Sequence, residues 1–202
     1  MTSSQNKLPQ NFYYQNVHDV AKNLLGKYFV RKLNGKNLIG KIVEVEAYDG
    51  RIDKAAHSFN GKTKRNEVIF NGGGNLYVYF TYGMHFCSNV VTGKPGDGTA
   101  ILLRALEPVE GIDEMALNRF GKKDISEKEK INLTNGPAKI CLALNIKRED
   151  NGTPLSGNDI FILDKKNIRP GQIFATTRIG IKKSVDLPWR YYIKDNRYVS
   201  KK

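Results

Sequence analysis

The run ILLRALEP at residues 101–108 is apolar enough for a buried strand, yet Arg104 stands in its middle. A guanidinium stays charged and is rarely buried without a partner, so Arg104 predicts a carboxylate beside it. GKIVEVEAYDG at 40–50 offers two. At the two-residue period of a strand, Glu44, Glu46 and Tyr48 share one face, and Val43, Val45 and Ala47 share the other. Glu44 reads as part of a solvated strand face. Glu46, between Val45 and Ala47 and close to Tyr48, reads as the partner of Arg104. Such a pair either serves structure alone or holds a carboxylate ready for proton transfer, and the residues leave both open.

A second candidate is NLYVYFTYGMHFCSNVV, residues 75–91. Its alternation places Tyr77, Tyr79 and Thr81 on one strand face and Leu76, Val78 and Phe80 on the other. Tyr82-Gly83 then reverses the chain into a strand over Phe86–Val91, glycine supplying the backbone freedom of the turn. Tyr82 at the tip either folds back onto its own hairpin or projects as a wedge. His57, after DKAA, is in most sequences a surface or core histidine. GKTKRN at 61–66 is not a phosphate loop, because Ala56 stands where that motif needs glycine. GGGN at 72–75 is a turn into a strand, with no helix behind it to form a dinucleotide site. The two cysteines and three histidines lack metal-ligand spacing, and four thiolates for an iron–sulfur cluster are not available. Cys87 and Cys141 read as reduced core residues.

The elements that must carry these residues are mostly strands. Val17, Val20, Ala21, Leu24 and Leu25 recur at helical spacing before Gly26. Strands follow near Lys27–Lys32 and Leu38–Tyr48, then a basic loop, the tyrosine hairpin and a strand over Thr99–Leu106. Helices are expected over Ile112–Phe120 and, after Asn135-Gly136-Pro137, over Ala138–Leu144. From Asp159 on, DIFIL, TTRIGI, RYYI and RYVS read as short strands. There is no βαβ rhythm, so the fold class is α+β, with a mixed or antiparallel sheet. With 202 residues, 40% of them hydrophobic, one domain over 1–202 suffices, residues 1–11 forming a loose start. The net charge of +13 is spread along the chain rather than gathered in a tail, which implies a polyanionic partner. Nucleic acid fits better than a membrane surface, as no apolar run is long enough to span a bilayer. The polar N-terminus has no apolar export signal, so a cytoplasmic location is expected.

The sequence resembles the alkyladenine (3-methyladenine) DNA glycosylase family over most of its length. The motifs that carry the resemblance are LLGKYFVR (24–31), GKIVEVEAYDGRIDKAAHS (40–58), TKRN (63–66), NLYVYFTYGMHFCSN (75–89), ILLRALEPVEG (101–111), NGPAKICLAL (135–144), RIGI (178–181) and PWRYYI (188–193). The resemblance implies a compact mixed fold with a protruding hairpin. It implies binding to duplex DNA through the minor groove, extrusion of a damaged purine and hydrolysis of its N-glycosidic bond, by a monomer and without metal or cofactor. The substrates implied are 3-methyladenine, 7-methylguanine, hypoxanthine and ethenoadenine. By the same resemblance Glu46 falls on the water-activating base and Arg104 on the arginine that helps hold the water, with the backbone carbonyl of Ile179 completing its contacts. Tyr48, His57 and Tyr79 fall on the pocket around the flipped base, Asn89 on its edge, and Tyr82 on the side chain that fills the gap in the duplex. Lys64 departs from the proline of many relatives, which touches only the path of that loop.

The implied chemistry is physically coherent. Removing a base from the stack costs a few kcal/mol, and a wedge on a stiff hairpin holds the duplex open. Aromatic faces attract a desolvated cationic purine by roughly 2 kcal/mol. Glu46 would take a proton from water and stabilise the oxocarbenium-like charge, with Arg104 lowering its pKa. Water rather than a lysine is then the nucleophile, and no lyase step is expected. A non-catalytic DNA-binding protein and an RNA-binding module are the other classes that fit the charge, the second lacking any RNP-like octamer.

Overall fold

The structure is a computed structural model that describes residues 6–81 and 83–201. Tyr82, expected at the hairpin tip, lies outside them. The strands are β1 (Tyr28–Leu33), β2 (Lys36–Asp49), β3 (Leu76–Thr81), β4 (His85–Thr92), β5 (Thr99–Glu110), β6 (Ile160–Leu163), β7 (Ile173–Thr176) and β8 (Arg190–Ile193). The helices are α1 (Gln10–Tyr13), α2 (Val17–Leu24), α3 (Ile112–Phe120), α4 (Glu127–Asn132) and α5 (Pro137–Ala143). The eight strands form one sheet in the order β3-β4-β5-β2-β1-β6, with β8 joined to β2 and β7 to β8. The pairings are antiparallel, so the fold is α+β, as the sequence predicts.

The long strand β2 organises the site. One edge pairs with β5, while the other pairs first with β1 and then, from Glu44 to Glu46, with β8. Val43, Val45 and Ala47 sink into the main core, which draws on residues from Leu8 to Tyr198. The opposite face carries Glu44 and Glu46, also fully buried: Arg190 and the Ser200 N–H reach Glu44, while the Ile179 N–H, Tyr48 and Arg104 reach Glu46. The β2–β5 register shifts on both sides of Glu44, and Arg104 has no partner residue across the ladder. A bulge of this kind re-aims a side chain, here a guanidinium towards two carboxylates.

Local chemistry accounts for most ends. Asn16 caps α2 by accepting from the His18 N–H at 2.9 Å, and Gly26 takes the left-handed φ of +85° that stops the helix. The α4 helix was not expected, since EKEKIN has no apolar period and none of its residues is buried. Its signal is the capping box Ser126–Glu129. In the tail, β6 and β8 match expectation, but TTRIGI and RYVS are not strands. Beyond Thr176 the chain leaves the sheet: the Ile179 N–H goes to the Glu46 carboxylate and Gly180 turns at φ +77°. Tyr198 and Val199 are buried, but the Ser200 N–H goes to Glu44 rather than to a strand. The strand there is instead β7, one segment earlier.

Candidate active site

A cleft of about 700 Å³ opens where β2, β3, β4 and β5 meet the loop after β2 and the segment after β7. Tyr48, His57, Tyr77, Tyr79, Asn89, Arg104 and Ile179 line it. Glu46 lies just beneath, fully buried. Every site residue expected from the sequence is therefore at this cleft, apart from Tyr82, which is outside the described residues.

The carboxylate of Glu46 is held from several sides. Its Oε1 accepts the Ile179 N–H at 2.8 Å and lies 3.3 Å from Arg104 Nη1. Its Oε2 accepts the Tyr48 hydroxyl at 2.8 Å. At Ile179 it is the N–H that meets the carboxylate itself, a contact separate from the one between its carbonyl and a water that the resemblance implies. Burial pushes the Glu46 pKa up, and this outweighs the lowering by Arg104, the Ile179 N–H and Tyr48. Arg104 acts in the expected direction without setting the net shift, because desolvation of a charge with no exposed surface is the larger effect. A buried carboxylate with a raised pKa and an ordered set of donors is a fitting general base. Glu44 is the clear correction: it is 0% exposed rather than on a solvated face, and it accepts from Arg190 Nη1 at 2.8 Å and from the Ser200 N–H at 2.7 Å. Strand period alone cannot show that the Arg190 side chain and the C-terminal residues will reach that face.

The aromatic wall comes from the hairpin. Tyr77 and Tyr79 stack with centroids 5.5 Å apart, while His57 meets Tyr79 edge-on at 4.5 Å and shares a 3.1 Å hydrogen bond between Nδ1 and the Tyr77 hydroxyl. The position of His57 is fixed by Asn66 of TKRN, whose Nδ2 donates to the His57 carbonyl at 2.8 Å and to the Gly61 carbonyl at 3.0 Å. Desolvation inside the cleft, and then the Arg65 cation, lower the His57 pKa, although much of the residue stays open to solvent. Asn89 donates to the Tyr77 carbonyl at 3.2 Å from a buried position. Cys87, paired with Tyr79 across the hairpin, is a free buried thiol, as is Cys141.

Sequence reasoning passed over Arg178. It is fully buried, forms a two-pronged ion pair with Asp53, donates to the Ala47 carbonyl at 3.0 Å and lies 4.5 Å from the centroid of the Tyr48 ring. It therefore ties together the strand that carries Glu46 and Tyr48, the loop that leads to His57 and the segment that carries Ile179. The sequence signal was the pair of charges in GRIDKAAH and RIGI, visible only once their proximity is known. The rim of the cleft is basic, with Lys54, Arg65, Lys182 and Lys183. No group of side chains suited to a metal ion occurs among the described residues.

Residues 11–197 match the family described as methylpurine-DNA glycosylase. Proteins named "Putative 3-methyladenine DNA glycosylase" are similar over nearly their whole length. That of Clostridium botulinum is 48% identical over 202 residues, covering 96% of this chain and 99% of the relative. That of Carboxydothermus hydrogenoformans is 53% identical over 196 residues, with 96% and 99% covered. That of Alkaliphilus oremlandii is 46% identical over 202 residues, with 97% and 100% covered.

Proposed function

Because the chain belongs to the methylpurine-DNA glycosylase family, we propose that it acts as a monofunctional monomer on duplex DNA in the cytoplasm, at the nucleoid if the cell is bacterial. In this reading it draws alkylated or deaminated purines (3-methyladenine, 7-methylguanine, hypoxanthine, ethenoadenine) into the cleft and hydrolyses the N-glycosidic bond. The observation that carries the reading is the buried Glu46 carboxylate beneath an aromatic cleft, held by two hydrogen bonds and the Arg104 ion pair. Tyr48, His57 and Tyr79 surround the extruded base, and Asn89 borders it. Their π-faces favour a cationic purine over a neutral one. Glu46 takes a proton from water as the oxygen bonds to the anomeric carbon, the C–N bond breaks, and its electron pair leaves with the base. The carboxylate stabilises the oxocarbenium-like charge in passing, and Arg104, with the backbone at Ile179, orients the water. Tyr82 fills the space left in the stack, and the basic rim holds the phosphates.

The test is a duplex with one hypoxanthine or ethenoadenine, incubated with the protein and then cleaved with alkali at abasic sites. A strand break at the lesion supports the proposal, whereas tight binding without a break marks a DNA-binding protein that does no chemistry. Glu46→Gln should keep lesion binding and lose base release. If more than about a tenth of the wild-type rate remains, a barrier change below about 1.4 kcal/mol, Glu46 is not the base.

A further inference from the structure

Behind Glu46 the buried charges form a row: Arg190, Glu44, Arg104, Glu46. Arg190 Nη1 donates to Glu44 Oε1 at 2.8 Å. Arg104 stands between the two carboxylates, its Nε 3.6 Å from Glu44 Oε1 and its Nη1 3.3 Å from Glu46 Oε1. Neither contact is short, and Arg104 Nε has no hydrogen-bond partner. Both glutamate side chains are 0% exposed, and the arginines are 10% and 7% exposed. In so dry a setting a guanidinium between two carboxylates is drawn to whichever is less well neutralised. Arg190 is fixed independently: its Nε donates to the Thr177 carbonyl at 2.9 Å and its Nη1 to the Lys201 carbonyl at 2.8 Å. With Arg190 on Oε1 and the Ser200 N–H on Oε2 at 2.7 Å, both oxygens of Glu44 have closer partners than Arg104.

We propose that Arg190 is a positioning residue for the reaction: by neutralising Glu44 it leaves Arg104 to Glu46 and so sets the basicity with which Glu46 activates water. The inference rests on Glu46 being the base. The groups around Glu46 are Glu44 and Tyr48 on β2, Arg104 on β5, Tyr79 on β3, Arg190 opposite it on β8, and the Ile179 N–H after β7. Arg178, on the same segment, is committed to Asp53, and Lys54, Lys182 and Lys183 stand at the rim. Among these, Glu44 is the one acid that disfavours the Glu46 anion by its charge, and Arg190 is its closest cation.

The sign of the effect follows. In Arg190→Gln, Glu44 is left unbalanced and draws Arg104 away, so the Glu46 anion loses a cation and gains a like charge. The acidic limb of the single-turnover excision profile should move up by about one pH unit or more. Glu44→Gln should move it down. The double variant Glu44→Gln/Arg190→Gln removes both charges, leaves Arg104 with Glu46 alone, and should return the limb to the wild-type position or below, with recovery of rate. A purely structural role predicts the opposite pattern: losses that add, with no movement of the limb. Unmoved limbs in Arg190→Gln and Glu44→Gln would overturn the inference, and so would a double variant no better than Arg190→Gln. If Arg190→Gln does not fold, the downward shift in Glu44→Gln decides alone. Failure of the underlying reading looks different, since Glu46→Gln would then keep its activity and the wild-type limb would not belong to Glu46.

Discussion

Ionising Glu46 works against the fold that holds it. Its folded pKa lies above the ordinary glutamate value near about 4.3, so the unfolded chain gives up this proton first and stability falls as pH rises through that interval. Glu46→Gln mimics the neutral form: the amide can accept from Ile179 while donating to the Tyr48 oxygen. Its melting temperature at pH 7 to 8 should therefore equal or exceed that of wild type, the difference vanishing near pH 4, as calorimetry at both pH values would show. Excision of cationic 3-methyladenine, which leaves as a neutral molecule, should rise once with Glu46 ionisation and then stay level. Hypoxanthine needs a proton to leave as a neutral base, so its profile should be bell-shaped. Desolvation and the Arg65 cation lower the His57 pKa, so as the acid it would confine that bell to the acid side of about pH 6.5. Undiminished hypoxanthine release at pH 7.5 in single turnovers would leave His57 a stacking residue only. Lys54, Lys182 and Lys183 stand at the cleft, so trapping with borohydride is a real test of the nucleophile. With water attacking, no covalent adduct forms.

At the scale of elements, the site depends on loops being tied to a stiff sheet. Arg178→Met leaves Asp53 as a buried, unpaired carboxylate and should cost about 3 kcal/mol or more in denaturant unfolding. Asn66→Ala frees the loop that bears His57 and removes two side-chain contacts to carbonyls; it should lower excision more than stability, because the hydrogen bonds lie in a loop rather than in the sheet. In contrast, Ser126→Ala at α4 removes a capping box remote from these residues and should cost about 1 kcal/mol with excision unchanged. Comparing excision and unfolding midpoints across the three variants separates positioning from stability. Loss of excision in the Ser126 variant would mean that the α4 region reaches the site.

For the whole molecule, a charge of +13 without a basic tail makes binding a matter of phosphate neutralisation. Affinity for undamaged duplex should fall roughly a thousandfold between 50 and 200 mM salt, measured by fluorescence anisotropy, as expected for several phosphate contacts. A flat salt dependence would place the charges away from the DNA. Among the described residues no helix is long and apolar enough to cross a membrane.

Strand period, composition and the motif order were enough to predict the α+β class, the tyrosine face of the hairpin, the Glu46–Arg104 pair and the family. These are legible because each depends on neighbours in sequence: alternation sets a face, and an arginine in an apolar run demands a carboxylate. Tertiary structure alone decided what lies across a face. Glu44 has the same pattern as a solvated strand residue until Arg190 and Ser200, 146 and 156 positions later, donate to it. Arg178 and Asp53 are 125 positions apart, and nothing local distinguishes them from surface charges. The net pKa of Glu46 was beyond sequence for the same reason, since desolvation depends on everything packed around a group, whereas the sequence displays only its nearest charged partner.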